Sequence, residues 1–172
     1  VNRVEFANGT VWDNAMLQAF ADTGTLGDDY LIGTNGSESL SGLAGNDFIN
    51  AYDGNDTIDG GPGNDTLFGG LGNDTYVFGR GAGSDLVGDV GGTTDKIQLA
   101  PGVLPGDVTL LRNGTELLLS LDQSSTQLRM NNATAIEQIT FDGGTIWDAA
   151  AIARQTFVGA VNSLTGTAGD DT

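Results

Sequence analysis

An apolar residue recurs at every ninth place along the first half of this chain: Leu31, Leu40, Ile49, Ile58, Leu67 and Tyr76. The units that carry it read GTLGDDYLI, GTNGSESLS, GLAGNDFIN, AYDGNDTID, GGPGNDTLF and GGLGNDTYV, from Gly24 to Val77. Glycine fills the fourth place of each (Gly27, Gly36, Gly45, Gly54, Gly63, Gly72). An acid fills the sixth (Asp29, Glu38, Asp47, Asp56, Asp65, Asp74). The period is too long for a helix face and too regular for loop. It divides into a six-residue turn and a three-residue strand whose side chains alternate out, in, out, so that only the eighth place faces inward. Two units make one coil, and eighteen residues on the chain lies above itself. The pattern predicts a parallel β-roll, a solenoid with a narrow apolar core.

Beyond the roll the pattern changes. Lys96–Leu99, Val108–Leu111, Leu117–Leu121 and Gln127–Met130 read as strands, with Asn113-Gly114 as a hairpin turn between two of them. They predict a small antiparallel sheet flanking the roll. A longer repeat brackets everything: VNRVEFANGTVWDNAM at the start matches IEQITFDGGTIWDAAA from Ile136 to Ala151. Each copy predicts a short strand (Arg3–Phe6; Glu137–Phe141), a turn and a short capping helix with Asp13 or Asp148 as its N-cap. Each is followed by a GT-x-GDD stretch, Gly24–Asp29 and Gly166–Asp171. The chain thus reads as a piece of a long tandem array. Residues 1–23 form the tail of one module, 24–95 the roll, 96–158 its flanking segment, and 159–172 the start of the next array. Trp12 and Trp147 hold equivalent places in the two junctions, which favours core anchors over ligand-stacking platforms.

Charge sharpens the picture. Six basic residues stand against 23 acidic ones, a net charge of −17, which argues against nucleic acid and anionic membrane partners. From Gly24 to Asp95 there are twelve acids and one base, Arg80. The roll stacks Asp29, Asp47 and Asp65 on one edge, and Glu38, Asp56 and Asp74 on the other. Stacked carboxylates about 4.8 Å apart repel by ~1 kcal/mol in water and several times more near a protein surface. A hard divalent cation between them removes that repulsion and takes oxygen ligands from both turns. Glycine at the fourth place permits the positive φ that aims carbonyls into the turn. Asparagine at the fifth (Asn46, Asn55, Asn64, Asn73) is expected to tolerate left-handed geometry and bond locally.

Enzyme chemistry is poorly supplied. Histidine and cysteine are absent, which removes Ser-His triads, HExxH zinc sites and thiol nucleophiles. Asp53 to Asn64 fails as an EF-hand, for its twelfth place lacks the bidentate Glu. Asp22-Thr23-Gly24 is a single unpaired copy of a protease-like triplet, and Gly79–Gly83 is too loose for a phosphate loop. No apolar run reaches membrane-spanning length.

The six units resemble the RTX, or haemolysin-type, calcium-binding family, and YVFGRGAGSD, GGTTDKI and ITFDGGTIWD resemble the segments that follow such repeats. The resemblance implies ions between turns eighteen residues apart. One would use Asp47 and Asp65 with the carbonyls of Leu43, Gly45, Gly60 and Pro62. A second would use Asp56 and Asp74 with those of Tyr52, Gly54, Gly69 and Leu71, and a third Asp29 and Asp47 with Thr25, Gly27, Gly42 and Ala44. Glu38 with Asp56 makes a weaker pair, drawing on Thr34, Gly36, Ala51 and Asp53, because Glu is longer than the expected Asp. GRGAGSDLV reads as a seventh unit after a two-residue slip, so Asp85 would pair with Asp65, with Gly61, Gly63, Arg80 and Ala82.

The resemblance further implies four to five Ca2+ ions and a non-enzymatic module that folds on calcium after export. The parent is then a large secreted or surface-bound bacterial protein leaving through a type I secretion channel, its modules touching their neighbours in the array, with no membrane insertion. The competing readings are an adhesin or surface-layer segment, and an accessory module of a secreted hydrolase or polysaccharide-modifying enzyme. Against the first stands the irregular third place: Leu26, Asn35, Ala44, Asp53, Pro62 and Leu71.

Overall fold

The computed structural model describes residues 3–121, 125–132 and 135–158. The start of a next array, expected at 159–172, lies outside them. Six three- or four-residue strands fall on the last third of each nonapeptide: β3 (Tyr30–Ile32), β4 (Ser39–Ser41), β5 (Phe48–Asn50), β6 (Thr57–Asp59), β7 (Thr66–Phe68) and β8 (Thr75–Phe78). They alternate between two sheets, and every pair within a sheet is parallel with an eighteen-residue register, as Ile49 on Leu67 and Ile58 on Tyr76. The eighth place is the core, as the alternation requires. Leu40, Ile49, Ile58, Leu67 and Tyr76 are at most 1% exposed, while their strand neighbours remain half-buried or open.

The stacking does not stop at Val77. After it come β9 (Ser84–Gly88) and β10 (Lys96–Leu99), which continue the two sheets in parallel on β7 and β8. The roll absorbs a register step of twenty residues on one side and twenty-one on the other, Thr66 facing Leu86 and Thr75 facing Lys96. The extra residues sit in the turns and the inward Val87 and Ile97 keep their places in the core.

The small antiparallel sheet flanks the roll as expected and is joined to it edge to edge. Strands β11 (Val108–Asn113), β12 (Glu116–Leu121) and β13 (Gln127–Met130) are antiparallel to each other, yet β13 lies parallel on β9. Likewise β14 (Gln138–Thr140) extends the second sheet in parallel on β10, and β15 (Ile146–Asp148) then closes it. One apolar column therefore runs Leu31, Ile49, Leu67, Val87, Met130, and the other Leu40, Ile58, Tyr76, Ile97, Ile139.

Both junctions fold alike. In the first, β1 (Arg3–Glu5) pairs antiparallel with β2 (Val11–Asp13) and leads into α1 (Asn14–Ala21). In the second, β14 and β15 lead into α2 (Ala149–Gln155), and β16 (Thr156–Val158) then pairs with β11. Asp13 and Asp148 cap their helices, accepting from Met16 N at 2.9 Å and Ala151 N at 2.7 Å. Trp12 meets Phe6 edge-on at 4.9 Å, and Trp147 meets Phe141 in the same way at 4.8 Å. The tryptophans are ring-packed anchors. The copies differ in setting: β1 and β2 form a two-stranded sheet of their own, whereas β14 is stitched into the roll.

Candidate metal centre

The turns between strands carry the acids, and backbone hydrogen bonds fix them in two columns. On one edge Asp29 N donates to Asp47 Oδ1 (2.8 Å), Asp47 N to Asp65 Oδ1 (2.8 Å) and Asp65 N to Asp85 Oδ1 (3.0 Å). On the other, Glu38 N donates to Asp56 Oδ1 (2.7 Å), Asp56 N to Asp74 Oδ1 (2.8 Å) and Asp74 N to Asp95 Oδ1 (2.7 Å). Asp95 N then donates to Glu137 Oε2 at 2.8 Å. Each carboxylate thus spends one oxygen on the turn before it. The second oxygen of Asp47, Asp56, Asp65 and Asp74 is buried with no hydrogen-bond partner.

A buried carboxylate oxygen left unpaired is costly, and the surroundings say what would satisfy it. A Cβ on Gly42 would sit 2.2 Å from Asp47 Oδ2 and 2.6 Å from the carbonyl oxygen of Gly60. Gly60 stands likewise to Asp65 Oδ2, and Gly69 to Asp74 Oδ2. The first-place glycine is therefore a cradle, leaving carboxylate and carbonyl oxygens to share a space that a side chain would fill. Fourth-place glycines do the same for the carbonyls. A Cβ on Gly63 would meet Gly45 O at 1.6 Å, and one on Gly72 would meet Gly54 O at 1.5 Å. The donors are oxygen alone, from carboxylates and carbonyls, the set a hard ion such as calcium takes.

Electrostatics agrees. Burial first, then the neighbouring carboxylates, raises Asp47 and Asp56 above the ordinary carboxylate range and pushes Asp65 and Asp74 up to about 6. The same causes push Asp85 and Asp95 up to about 7. These groups resist ionisation unless a cation compensates them.

The outer rungs differ. Thr25 N and Oγ1 donate to Asp29 Oδ2 at 2.6 and 2.9 Å, and Thr34 N and Oγ1 donate to the Glu38 carboxylate. Both acids are half-buried and folded into their own turns. The hydroxyl at the second place is the cause. Later turns have Leu43, Tyr52, Gly61 and Gly70 there, all with positive φ, between 72° and 108°. The left-handed residue is thus at the second place, with glycine at positive φ at the fourth in Gly45, Gly54 and Gly72.

The asparagines take neither role expected of them. They reach across turns rather than bonding locally, Asn64 N to Asn46 Oδ1 at 3.0 Å and Asn73 N to Asn55 Oδ1 at 2.7 Å. None has positive φ among the described residues. Their ladder runs opposite to the acids', each Asn Oδ1 accepting from the turn after its own.

Several carbonyls implied as ligands already accept a bond between turns. Pro62 O accepts from Gly45 N, Leu71 O from Gly54 N, Ala82 O from Gly63 N, Tyr52 O from Leu71 N and Thr25 O from Ala44 N. Each keeps a second lone pair. The Ala51 carbonyl faces Gly33, 2.7 Å from where a Cβ would lie, and the Gly36 carbonyl faces Gly54 at 2.1 Å. Asp53 is exposed and accepts from Asn35 Nδ2 at 3.3 Å. The Arg80 side chain turns away to Asp107 (2.8 Å) and Gly102 O (3.0 Å). Sequence reasoning missed Asp95, Asp89 and Glu137. Asp95-Lys96-Ile97 carries the acid-x-apolar signature of places six to eight, hidden by the register step.

These features define a parallel β-roll whose turns are lined by carboxylate and carbonyl oxygens. Residues 23–58, 32–67 and 51–85 match the RTX calcium-binding nonapeptide repeat (4 copies), and residues 122–151 match the haemolysin-type calcium binding protein related domain. The chain carries RTX, or haemolysin-type, calcium-binding repeats. Among solved structures it is similar to the AlgE6R3 subunit from the Azotobacter vinelandii mannuronan C5-epimerase, at 26% identity and a TM-score of 0.50, covering 87% of this chain and 90% of that one. It is also similar to the AlgE6R2 subunit from that epimerase, at 25% identity and a TM-score of 0.53, covering 81% and 92%. No curated protein matches it. Among the described residues, no helix is long and apolar enough to cross a membrane.

Proposed function

We propose that this module is a non-enzymatic calcium switch that holds its chain open before export and closes it outside the cell. The observation that carries the reading is the row of four buried, unpartnered carboxylate oxygens on Asp47, Asp56, Asp65 and Asp74. Without a cation the columns repel and the coils separate. With millimolar calcium, sites of about 10⁻⁴–10⁻³ M affinity fill and binding energy becomes folding energy. Inner pairs Asp47–Asp65 and Asp56–Asp74 are the principal sites, and Asp65–Asp85 extends them. Asp29 and Glu38, already held by threonines, contribute weaker end sites, for a total of four to five ions.

In the cell this reading gives a secreted or surface-bound bacterial protein that leaves unfolded through a type I channel. Residues 1–23 and 136–158 then serve as junctions between neighbouring modules of an array. A second reading, an accessory module of a polysaccharide-modifying enzyme, draws support from the likeness to epimerase subunits over nine-tenths of their length. Calcium titration followed by circular dichroism tests the switch. A largely disordered chain should gain β signal cooperatively, lose it to chelator, and respond poorly to magnesium, which demands near-octahedral, partly hydrated sites. A fully folded roll in chelator would refute the switch.

A further inference from the structure

The turn that follows β9 breaks the repeat in a chemically pointed way. Its first place holds Asp89, where Gly24, Gly33, Gly42, Gly60 and Gly69 open other turns. Ala51 carries a Cβ at this place, but at Gly69 a Cβ would lie 2.3 Å from Asp74 Oδ2 and 2.3 Å from the Tyr76 hydroxyl. The turn between β9 and β10 runs from Asp89 to Asp95, one residue longer than the six from Gly60 to Asp65. The added residue makes room for a carboxylate in the cradle. Asp89 enters it buried, 6% exposed, beside Asp74 at 0% and Asp95 at 1%. One oxygen from each of the three lies within 4.8 Å of the others.

Three buried carboxylates so close need a counter-charge, and among the described residues no basic side chain makes an ion pair with them. Asp89 Oδ2 accepts from the Tyr76 hydroxyl at 2.6 Å and Asp89 Oδ1 from Gly91 N at 3.1 Å. Asp95 Oδ1 accepts from Asp74 N. Asp74 Oδ2, fully buried, has no partner at all. Glu137 adds a fourth acid next to the group through Asp95 N. Hydrogen bonds to neutral donors do not balance this much negative charge.

We infer that Asp74, Asp89 and Asp95 form a separate three-carboxylate calcium site that closes the end of the roll where it meets the flanking strands. It rests on the reading of the ladder as calcium sites, since Asp74 belongs to both. It differs from the paired sites in its donor charge, three carboxylates rather than two, and two of the three, Asp89 and Asp95, lie past residue 85, beyond the matched repeats. More charge in the ligand set tightens calcium binding, so this site fills at lower calcium than the pairs. Its position gives it a second consequence. Asp95 precedes β10, and Glu137, bonded to Asp95 N, precedes β14, so the ion ties the repeats to the segment that caps them.

The test is an ion count by native mass spectrometry with a matched calorimetric calcium titration, on the full 172-residue chain and three variants. Asp89→Gly restores the glycine of the other turns and removes the third carboxylate without crowding. Asp89→Asn keeps the shape and removes the charge. Tyr76→Phe combined with Asp89→Gly removes the hydroxyl that Asp89 accepts from. All three variants should bind one ion fewer than the parent chain, or bind their tightest ion about tenfold more weakly. Parent-like counts and isotherms in the double variant would overturn the inference and leave Asp89 as a partner for the Tyr76 hydroxyl alone. A parent chain that binds no calcium would overturn the ladder reading and this site with it.

Discussion

Replacing Asp65 by asparagine perturbs the ladder at its centre and should act in opposite directions with and without calcium. Asn keeps the Oδ1 acceptor for Asp47 N and the N–H that reaches Asp85, so the backbone column survives. It removes one charge between two like neighbours, Asp47 and Asp85. At a parallel strand spacing of about 4.8 Å, each neighbour repels by ~0.9 kcal/mol in water and ~3.5 kcal/mol at an effective dielectric of 20. Loss of two such terms relieves about 2 kcal/mol at the least. In chelator the variant should therefore fold at lower trimethylamine oxide than the parent, since excluded osmolytes favour burial. In calcium the same change deprives two successive sites of a ligand. At about tenfold each, the loss is ~3 kcal/mol, read as a lower urea midpoint at saturating calcium. A change of the same sign in both media would refute the account of Asp65 as a repulsive rung that calcium converts into a stabilising one.

Acidity should mimic the metal in its absence. Asp65 and Asp74 stand at about 6, and Asp85 and Asp95 at about 7, all above the ordinary value of 3.8. Groups raised on folding favour the folded chain at low pH, and that advantage is lost as pH rises through 6 to 7. Circular dichroism in chelator should show β signal near pH 5 that fades towards pH 8, while the calcium midpoint moves to higher concentration at pH 5. Gly72→Ala, whose Cβ would overlap Gly54 O at φ 130°, should raise the calcium midpoint severalfold or prevent folding. Gly81→Ala, also at positive φ but with open space around it, should cost only the backbone term of about 1–2 kcal/mol. Ile58→Ala, fully buried in the apolar column, should cost ~2–5 kcal/mol in calcium, measured by thermal melting.

The nonapeptide period by itself determined the strands, the inward column from Leu31 to Tyr76 and the acids that line each edge. The reason is geometric: a repeat that stacks on itself converts sequence spacing directly into position, so eighteen residues along the chain is one rung up the roll. Paired junctions were legible on the same ground, down to the capping roles of Asp13 and Asp148. What spacing could not decide was where the repeat ends. The two-residue slip that brings Asp85 onto its ladder was legible in GRGAGSDLV, but the step of twenty-one residues that brings Asp95 onto the other depends on extra turn residues, which only the stacked sheets show to be absorbed outside the core. The same holds for the threonines that draw Asp29 and Glu38 into their own turns, and for the asparagines that bond between rungs. The first is a side-chain contact within one turn and the second a contact with the neighbouring coil, and both are invisible to a period. Asp89 is the sharpest case. In the sequence it is one acid among twelve in the roll; only the longer turn, folding back against Tyr76, places it beside Asp74 and Asp95, where three charges need one ion.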